Sequence, residues 1–175
     1  MEMVYDLLKI TIPAAMVLYL AYLLVRSFLQ KQLDEITFGL QQKNQEIVVP
    51  IRLQAYERVV LLLERITPAN LLSRLSSTDY SAEEFQQILI HEIRNEFNHN
   101  LSQQVYMSEG AWTYVSTAVE QTISLVNSSA NSLGLEVRGM ELARAILKNS
   151  AGEEVDMTKQ AIKFVKEEIQ SIFSG

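Results

Sequence analysis

Residues 10–25 read ITIPAAMVLYLAYLLV, a run without a single charge, and its reading decides how the rest of the chain is organised. Val4, Tyr5, Leu7 and Leu8 carry the apolar character back past Lys9. At 1.5 Å per residue, the roughly 20 residues from Tyr5 to Val25 cover about 30 Å, the thickness of a hydrocarbon core. Asp6 and Lys9 lie in the first turns, where a lysine can snorkel to headgroups, and Arg26 and Lys31 close the other end. Tyr5, Tyr19 and Tyr22 suit the interfaces or a helix contact, and Pro13 sits early, where a membrane helix tolerates a kink. A cleaved signal peptide fits less well, because the first nine residues are acidic rather than basic and no small-residue cleavage pattern follows Val25. A buried core helix would require the remaining chain to wrap a segment that is apolar on every face. The expectation is a membrane span with the bilayer meeting residues 5–25. Arg26, Lys31 and Lys43 follow it, which points the body to the cytoplasm and the short N-terminal segment outside.

Beyond the span, Leu29, Leu33, Ile36, Leu40 and Ile47 fall on a 4-3-4-7 spacing, an a/d heptad seam with Lys43 in the missing slot. The membrane helix is expected to continue into the cytosol as a stalk. About three heptads are present, Gly39 interrupts them, and QQKNQ at 41–45 dilutes them, so docking on the chain's own body and homotypic pairing both stay open. Pro50 is expected to end or kink the stalk.

From Ile51 to Ile66, Ala55, Tyr56, Val59, Val60, Leu61, Leu62, Leu63 and Ile66 stand between charged turns; too short to cross a bilayer, this is read as the central core helix. Thr67-Pro68 ends it, and PANLLSRL reads as a short second helix with Pro68 at its first position, followed by the loop 76–80. Ser81-Ala82-Glu83-Glu84 is a capping box opening a long helix of about 24 residues, with Phe85, Leu89, Ile93, Phe97, Leu101 and Val105 at fourfold spacing. Ser108 can cap the next helix, whose stripe is Trp112, Val115, Val119, Ile123 and Val126, with the exit over 127–134. Val137, Met140, Leu142, Ala143, Ile146 and Leu147 suggest a shorter helix ended by NSAGEE. Ile162, Val165, Ile169 and Ile172 form a last stripe, with Lys159, Lys163, Lys166, Glu167 and Glu168 on the solvent side.

No segment alternates at period two for long, and Pro50 argues against a strand in QEIVVPIRL. The predicted class is therefore all-α: an anchor over 1–27, a helical stalk over 28–49, and a cytoplasmic bundle of about five helices over 50–175. The 175 residues contain no cysteine, which removes disulfides, thiolate metal sites and Cys nucleophiles. Fifteen Lys plus Arg stand against 21 Asp plus Glu, a formal charge of −6. Arg52, Arg58 and Arg65 alternate with Glu57 and Glu64, so no basic patch forms and nucleic acid is not an expected partner.

Both histidines lie in HEIRNEFNHN, residues 91–100. Metalloprotease helices place two histidines four apart, whereas His91 and His99 are separated by about 12 Å of axis and roughly 80° of rotation, too far to share an ion. Glu92, Glu96 and His99 do line one stripe, and Glu96-x-x-His99 is the spacing of di-iron bundles, but a second Glu-x-x-His is missing from the chain. The plainer reading is a polar shoulder beside the apolar stripe, with His91 on the surface. No nucleophile elbow or Gly-rich phosphate loop is present, so no catalytic residue and no cofactor is assigned. His99, Asn100, Gln103, Gln104 and Tyr106 gather polar groups before Ser108, either as a recognition patch or as a hydrogen-bond network fixing the turn.

Two stretches, PIRLQAYERVVLLLERITPANLLSRL over 50–75 and EIRNEFNHNLSQQVYMSEGAW over 92–112, resemble a family of small single-span membrane proteins from the Bacteroidetes group with no assigned activity. The resemblance runs from the span to about Val126, and it implies a membrane-anchored helical domain with no catalytic residues to transfer. The expected function is that of an interaction adaptor, scaffold or assembly factor in a bacterial inner membrane, with a protein partner or self-association. Its candidate contacts are Leu33, Ile36 and Leu40 on the stalk and His99, Asn100, Gln103, Gln104 and Tyr106 at the corner. The alternative is a metal-binding or enzymatic domain using Glu92, Glu96 and His99.

Overall fold

In the computed structural model, helix α1 runs from Glu2 to Ile66. The structure describes residues 2–75, 80–133, 137–152 and 156–174, without the side chains of 4, 5, 7, 8, 10, 40–42, 44, 45, 173 and 174. Pro50 does not end α1 as expected. A proline inside a helix removes one ladder bond and crowds the carbonyl four residues back, here that of Glu46, and the helix continues through it even though its neighbours Val48, Val49 and Ile51 are β-branched. The chain divides into two compact units, Met1–Val49 and Pro50–Gly175. In the first, every side chain from Thr11 to Phe38 is exposed.

In the second unit, the last turns of α1 give Tyr56, Val59, Leu62, Leu63 and Ile66 to the core, a helical stripe recurring every three to four residues. Leu61 points the other way and is 55% exposed. Thr67 closes α1, its hydroxyl donating to the Glu64 carbonyl, and α2 (Pro68–Arg74) starts with proline at its first turn, where the missing N–H has no ladder partner to lose. Helix α3 (Ala82–Asn100) opens on the expected capping box: Ser81 Oγ accepts from Glu84 N–H at 3.2 Å and Glu84 Oε2 accepts from Ser81 N–H at 2.9 Å.

The expected long helix changes pitch. After Asn100 the chain tightens into a 3-10 segment, Leu101–Tyr106. Three residues per turn instead of 3.6 shift the phase by roughly 100° over five residues, so the fourfold stripe leaves the core. Phe85, Leu89 and Ile93 are fully buried, whereas Leu101 is 42% and Val105 78% exposed.

Helix α4 (Glu109–Asn131) begins at Ser108, whose Oγ accepts from Ala111 N–H at 3.1 Å. It outlasts the expected exit, because Asn127 accepts from Gln86 and the fully buried Ser129 accepts from Asn149, fixing these turns across to neighbouring helices. Helices α3, α5 and α6 all pack against α4, and the end of α1 gives its stripe to the same core. Helix α5 (Gly139–Gly152) likewise runs past Leu147, with Leu142 and Ile146 buried and Met140 and Leu147 exposed. Helix α6 (Met157–Ser174) starts at Asp156, whose Oδ1 accepts from the N–H groups of Thr158 and Lys159. Rings stack between helices at Phe97 and Trp112 (5.5 Å) and at Tyr114 and Phe164 (4.5 Å). Among the described residues the one extended pairing is an isolated bridge between Ser81 and Arg138, where Ala82 N–H donates to Val137 and Gly139 N–H to Tyr80, tying the start of α3 to that of α5. The fold is all-α.

Ile93→Ala is expected to destabilise the body by about 2–5 kcal/mol, while His91→Ala two residues away stays within about 0.5 kcal/mol. Urea melts of the full chain followed by circular dichroism measure both.

Candidate functional site

The residues singled out in the sequence sit where α3 becomes the 3-10 segment, beside the end of α1. Glu96 is 14% exposed on its side chain and faces α1 and α2: Arg65 approaches at 3.0 Å and Arg74 at 3.9 Å. A carboxylate between two guanidiniums is already neutralised. His99 is exposed, and its Nδ1 lies 2.8 Å from the Asn95 carbonyl, so that nitrogen carries the proton. Among the described residues no three His, Asp or Glu side chains come together as a metal-holding group, and Glu92, Glu96 and His99 are not brought into one.

The polar corner separates into two kinds of residue. Asn100 and Gln103 are buried, with Asn100 donating to the Glu96 carbonyl and Gln103 to Ser102 Oγ. Gln104 is exposed and donates to the Leu101 carbonyl. These bonds are local, and they satisfy the backbone and amide groups that a change of helical pitch leaves over. Tyr106 contributes its carbonyl, which accepts from Arg52 Nε at 3.2 Å, and the residue is 39% exposed.

Between α1 and this α3–3-10 stretch runs a groove with two cavities. One, of about 300 Å³, is lined by Arg58, Leu61, Arg65, Asn95, Glu96 and His99. The other, of about 380 Å³, is lined by Ile51, Gln54, Arg58, Ser102, Gln103, Val105 and Tyr106. Arg58 lines both, and apolar Ile51, Leu61 and Val105 stand exposed along the walls.

A polar group that joins distant stretches of the body escaped the sequence reading. Glu168, expected on the solvent side of α6, is half-buried and accepts from the Tyr56 hydroxyl, from Ser108 Oγ and from Ser108 N–H at 2.9 Å. Arg52 completes the group, donating to the Tyr56 oxygen at 3.1 Å. Burial pushes the Glu168 carboxyl up, but the Ser108 and Tyr56 hydrogen bonds and the Arg52 charge outweigh it and hold the group below the ordinary glutamate range. Burial, with the carboxylate beside it, pushes the Tyr56 phenol up. A signal was present: Ala161, Val165, Glu168 and Ile172 share a 4-3-4 spacing, so Glu168 occupies a core-facing slot of its own stripe. A carboxylate that accepts three hydrogen bonds at the N-terminus of α4 ties that start to α1 and α6.

Comparison with known proteins matches residues 2–172 to a family model described as "Family of unknown function (DUF7935)". The match passes Val126 and reaches into α6, further than the likeness carried by 50–75 and 92–112. No curated protein and no solved structure matches the chain.

Glu168→Gln is expected to cost about 1.5–3 kcal/mol and Tyr56→Phe about 1 kcal/mol, read from urea melts at pH 7. Because the folded value of Glu168 is depressed, its contribution is complete above the ordinary 4.5 and is lost as pH falls through the lower folded value. Glu168→Gln should therefore flatten the acid limb of a stability–pH curve below about pH 4.5.

Proposed function

We propose, from the premise that the chain belongs to the family of unknown function DUF7935, that it is a membrane-anchored interaction protein: a single-pass adaptor, scaffold or assembly factor of a bacterial inner membrane. The observation that carries this reading is the helical stretch Thr11–Gly39, whose most apolar 18 residues have a mean hydropathy of 1.8 with none of them buried. An apolar helix surface with no protein against it is stable in hydrocarbon and costly in water. Arg26, Lys31 and Lys43 on its C-terminal side support a cytoplasmic body and an external N-terminal segment.

A binding rather than catalytic body accords with how its polar groups are used. Glu96, Asn100, Gln103, Gln104 and Glu168 are committed to internal partners, and the surface left for a partner is shape: the groove along Ile51, Leu61 and Val105 with Arg58 between its cavities, next to the exposed His99 and Tyr106. Partner proteins meet such a groove through an apolar helix face. No specific observation favours the metal-binding alternative.

The chain is expected to stay with membranes through alkaline carbonate extraction. Leu18→Arg with Leu20→Arg, each costing about 2.5–3.5 kcal/mol at a helix centre, should release it. Release of the unaltered chain overturns the anchor. With a cysteine introduced at position 3, an impermeant maleimide should label intact spheroplasts, and with one at position 166 only lysed ones; the reverse pattern overturns the orientation. Stoichiometric iron, manganese or zinc lost on His99→Ala would overturn the binding reading.

A further inference from the structure

The stalk row is the part of the first unit whose chemistry asks for a protein rather than for lipid. Leu29, Leu33 and Ile36 are 52%, 63% and 60% exposed at successive 4-3 spacing, and Leu40 holds the next position in sequence, its side chain outside the described residues. Extending the same spacing toward the N-terminus passes through Arg26 and then Tyr22, Tyr19, Ala15 and Ile12. All of these are exposed, so one register runs unbroken through the apolar run and into the stalk. Arg26 falls where the apolar run ends, where a long side chain lifts its charge out to the headgroups.

We propose that this row is a homodimer seam: two copies pair in parallel along the span and stalk, in register, through Tyr19, Tyr22, Leu29, Leu33 and Ile36. The inference rests on the membrane-anchored interaction reading and names its partner. Three features select a second copy over another occupant. First, the positions flanking the seam from Leu29 to Leu40 are Gln30, Gln32, Thr37 and Gly39, none of them charged, and the first charge at a flanking position is Glu46, beside Ile47. Heterotypic coiled coils choose their partners by complementary charges at those positions, and identical strands require that like charges be absent there. The acidic pair Asp34 and Glu35 lies off the seam, toward solvent. Second, a Cβ at Gly39 would meet no heavy atom within 4 Å, so a neighbouring backbone can come close at that flank. Third, the Tyr19 and Tyr22 hydroxyls lie within the apolar run and have no hydrogen-bond partner among the described residues. In a parallel pair each meets its own counterpart at the same depth, and hydroxyls can donate and accept reciprocally. Anchoring in one membrane supplies the parallel orientation and raises the effective concentration of one stalk about another. Lys43, the single cation at a stalk seam position, weakens the pair and pins its register, as one polar core residue does in two-stranded coils.

The test uses the full chain in its native membranes and exploits its lack of cysteine. Single substitutions to cysteine are made at Leu29, Leu33 and Ile36 on the seam and at Asp34 and Phe38 off it, and each variant is oxidised with copper phenanthroline. A disulfide needs Cα atoms about 4.4–6.8 Å apart, which seam positions of a parallel pair meet and outward positions do not, so the seam variants should crosslink about tenfold faster. Adding Ile36→Glu to the Leu29→Cys variant should slow its crosslinking by a similar factor, about tenfold, since it places like charges in the seam. Equal rates on and off the seam, no crosslink at any position, or a Leu29→Cys rate indifferent to Ile36→Glu overturns the proposal and leaves the row to another occupant. Carbonate extraction of the same samples is read separately. Chains that stay in the membrane without the periodic pattern sink the seam alone, and chains that leave it sink the anchor.

Discussion

Tyr56 is 1% exposed, and a phenol buried that completely must hydrogen-bond inside the protein. Its acceptor, Glu168, lies 112 residues further along the chain. That one bond fixes the register of α6 against α1, and because the same carboxylate takes both donors of Ser108, it also fixes where α4 begins. The phase of α4 then decides which residues enter the core: Val115, Ala118, Val119 and Val126 turn inward from a start held by Glu168 and Ser108 together. Arg52 extends the constraint to the 3-10 segment through the Tyr106 carbonyl. Four stretches of chain with no common local sequence signal are thus located by one carboxylate.

What was readable beforehand follows from this division between local and distant causes. The capping box at Ser81 and Glu84, the cap at Ser108, the proline start of α2 and the stripe of α6 depend on residues within about four positions of each other, which is the reach of helical periodicity. Glu168 belongs to the same stripe, but three lysines nearby made a solvated face the obvious assignment, and its donors are distant in sequence. Leu101 and Val105 continued a regular spacing that holds only while the pitch stays at 3.6 residues per turn. Pro50, expected to end or kink the stalk, does not end α1, and the division into two compact units falls between Val49 and Pro50. Of the candidate corner, the buried Asn100 and Gln103 turned out to serve the turn, while the exposed Tyr106 and the exposed His99 remain available to a partner.

The two units place different demands on their surroundings. Residues 50–175 bury their apolar stripes against one another and satisfy their polar groups internally; among the described residues no buried side-chain nitrogen or oxygen lacks a partner. Among the described residues of 1–49 no side chain is buried, so their helix draws its stability from length and from whatever medium surrounds an apolar surface.

The 112 residues between Tyr56 and Glu168 also measure time. At a synthesis rate of about 5–20 residues per second, the phenol waits roughly six to twenty seconds after it is made before its carboxylate exists. Throughout that interval Val59, Leu62 and Leu63, buried in the finished body within the run 59–63, lack the part of the core that α6 brings. The charges at Glu57, Arg58, Glu64 and Arg65 bracket this run on both sides, the arrangement by which nascent chains keep an unavoidable apolar stretch from sticking to its neighbours. Arg58 and Arg65, which line the groove of the finished protein, are thus also the charges that flank its central apolar run.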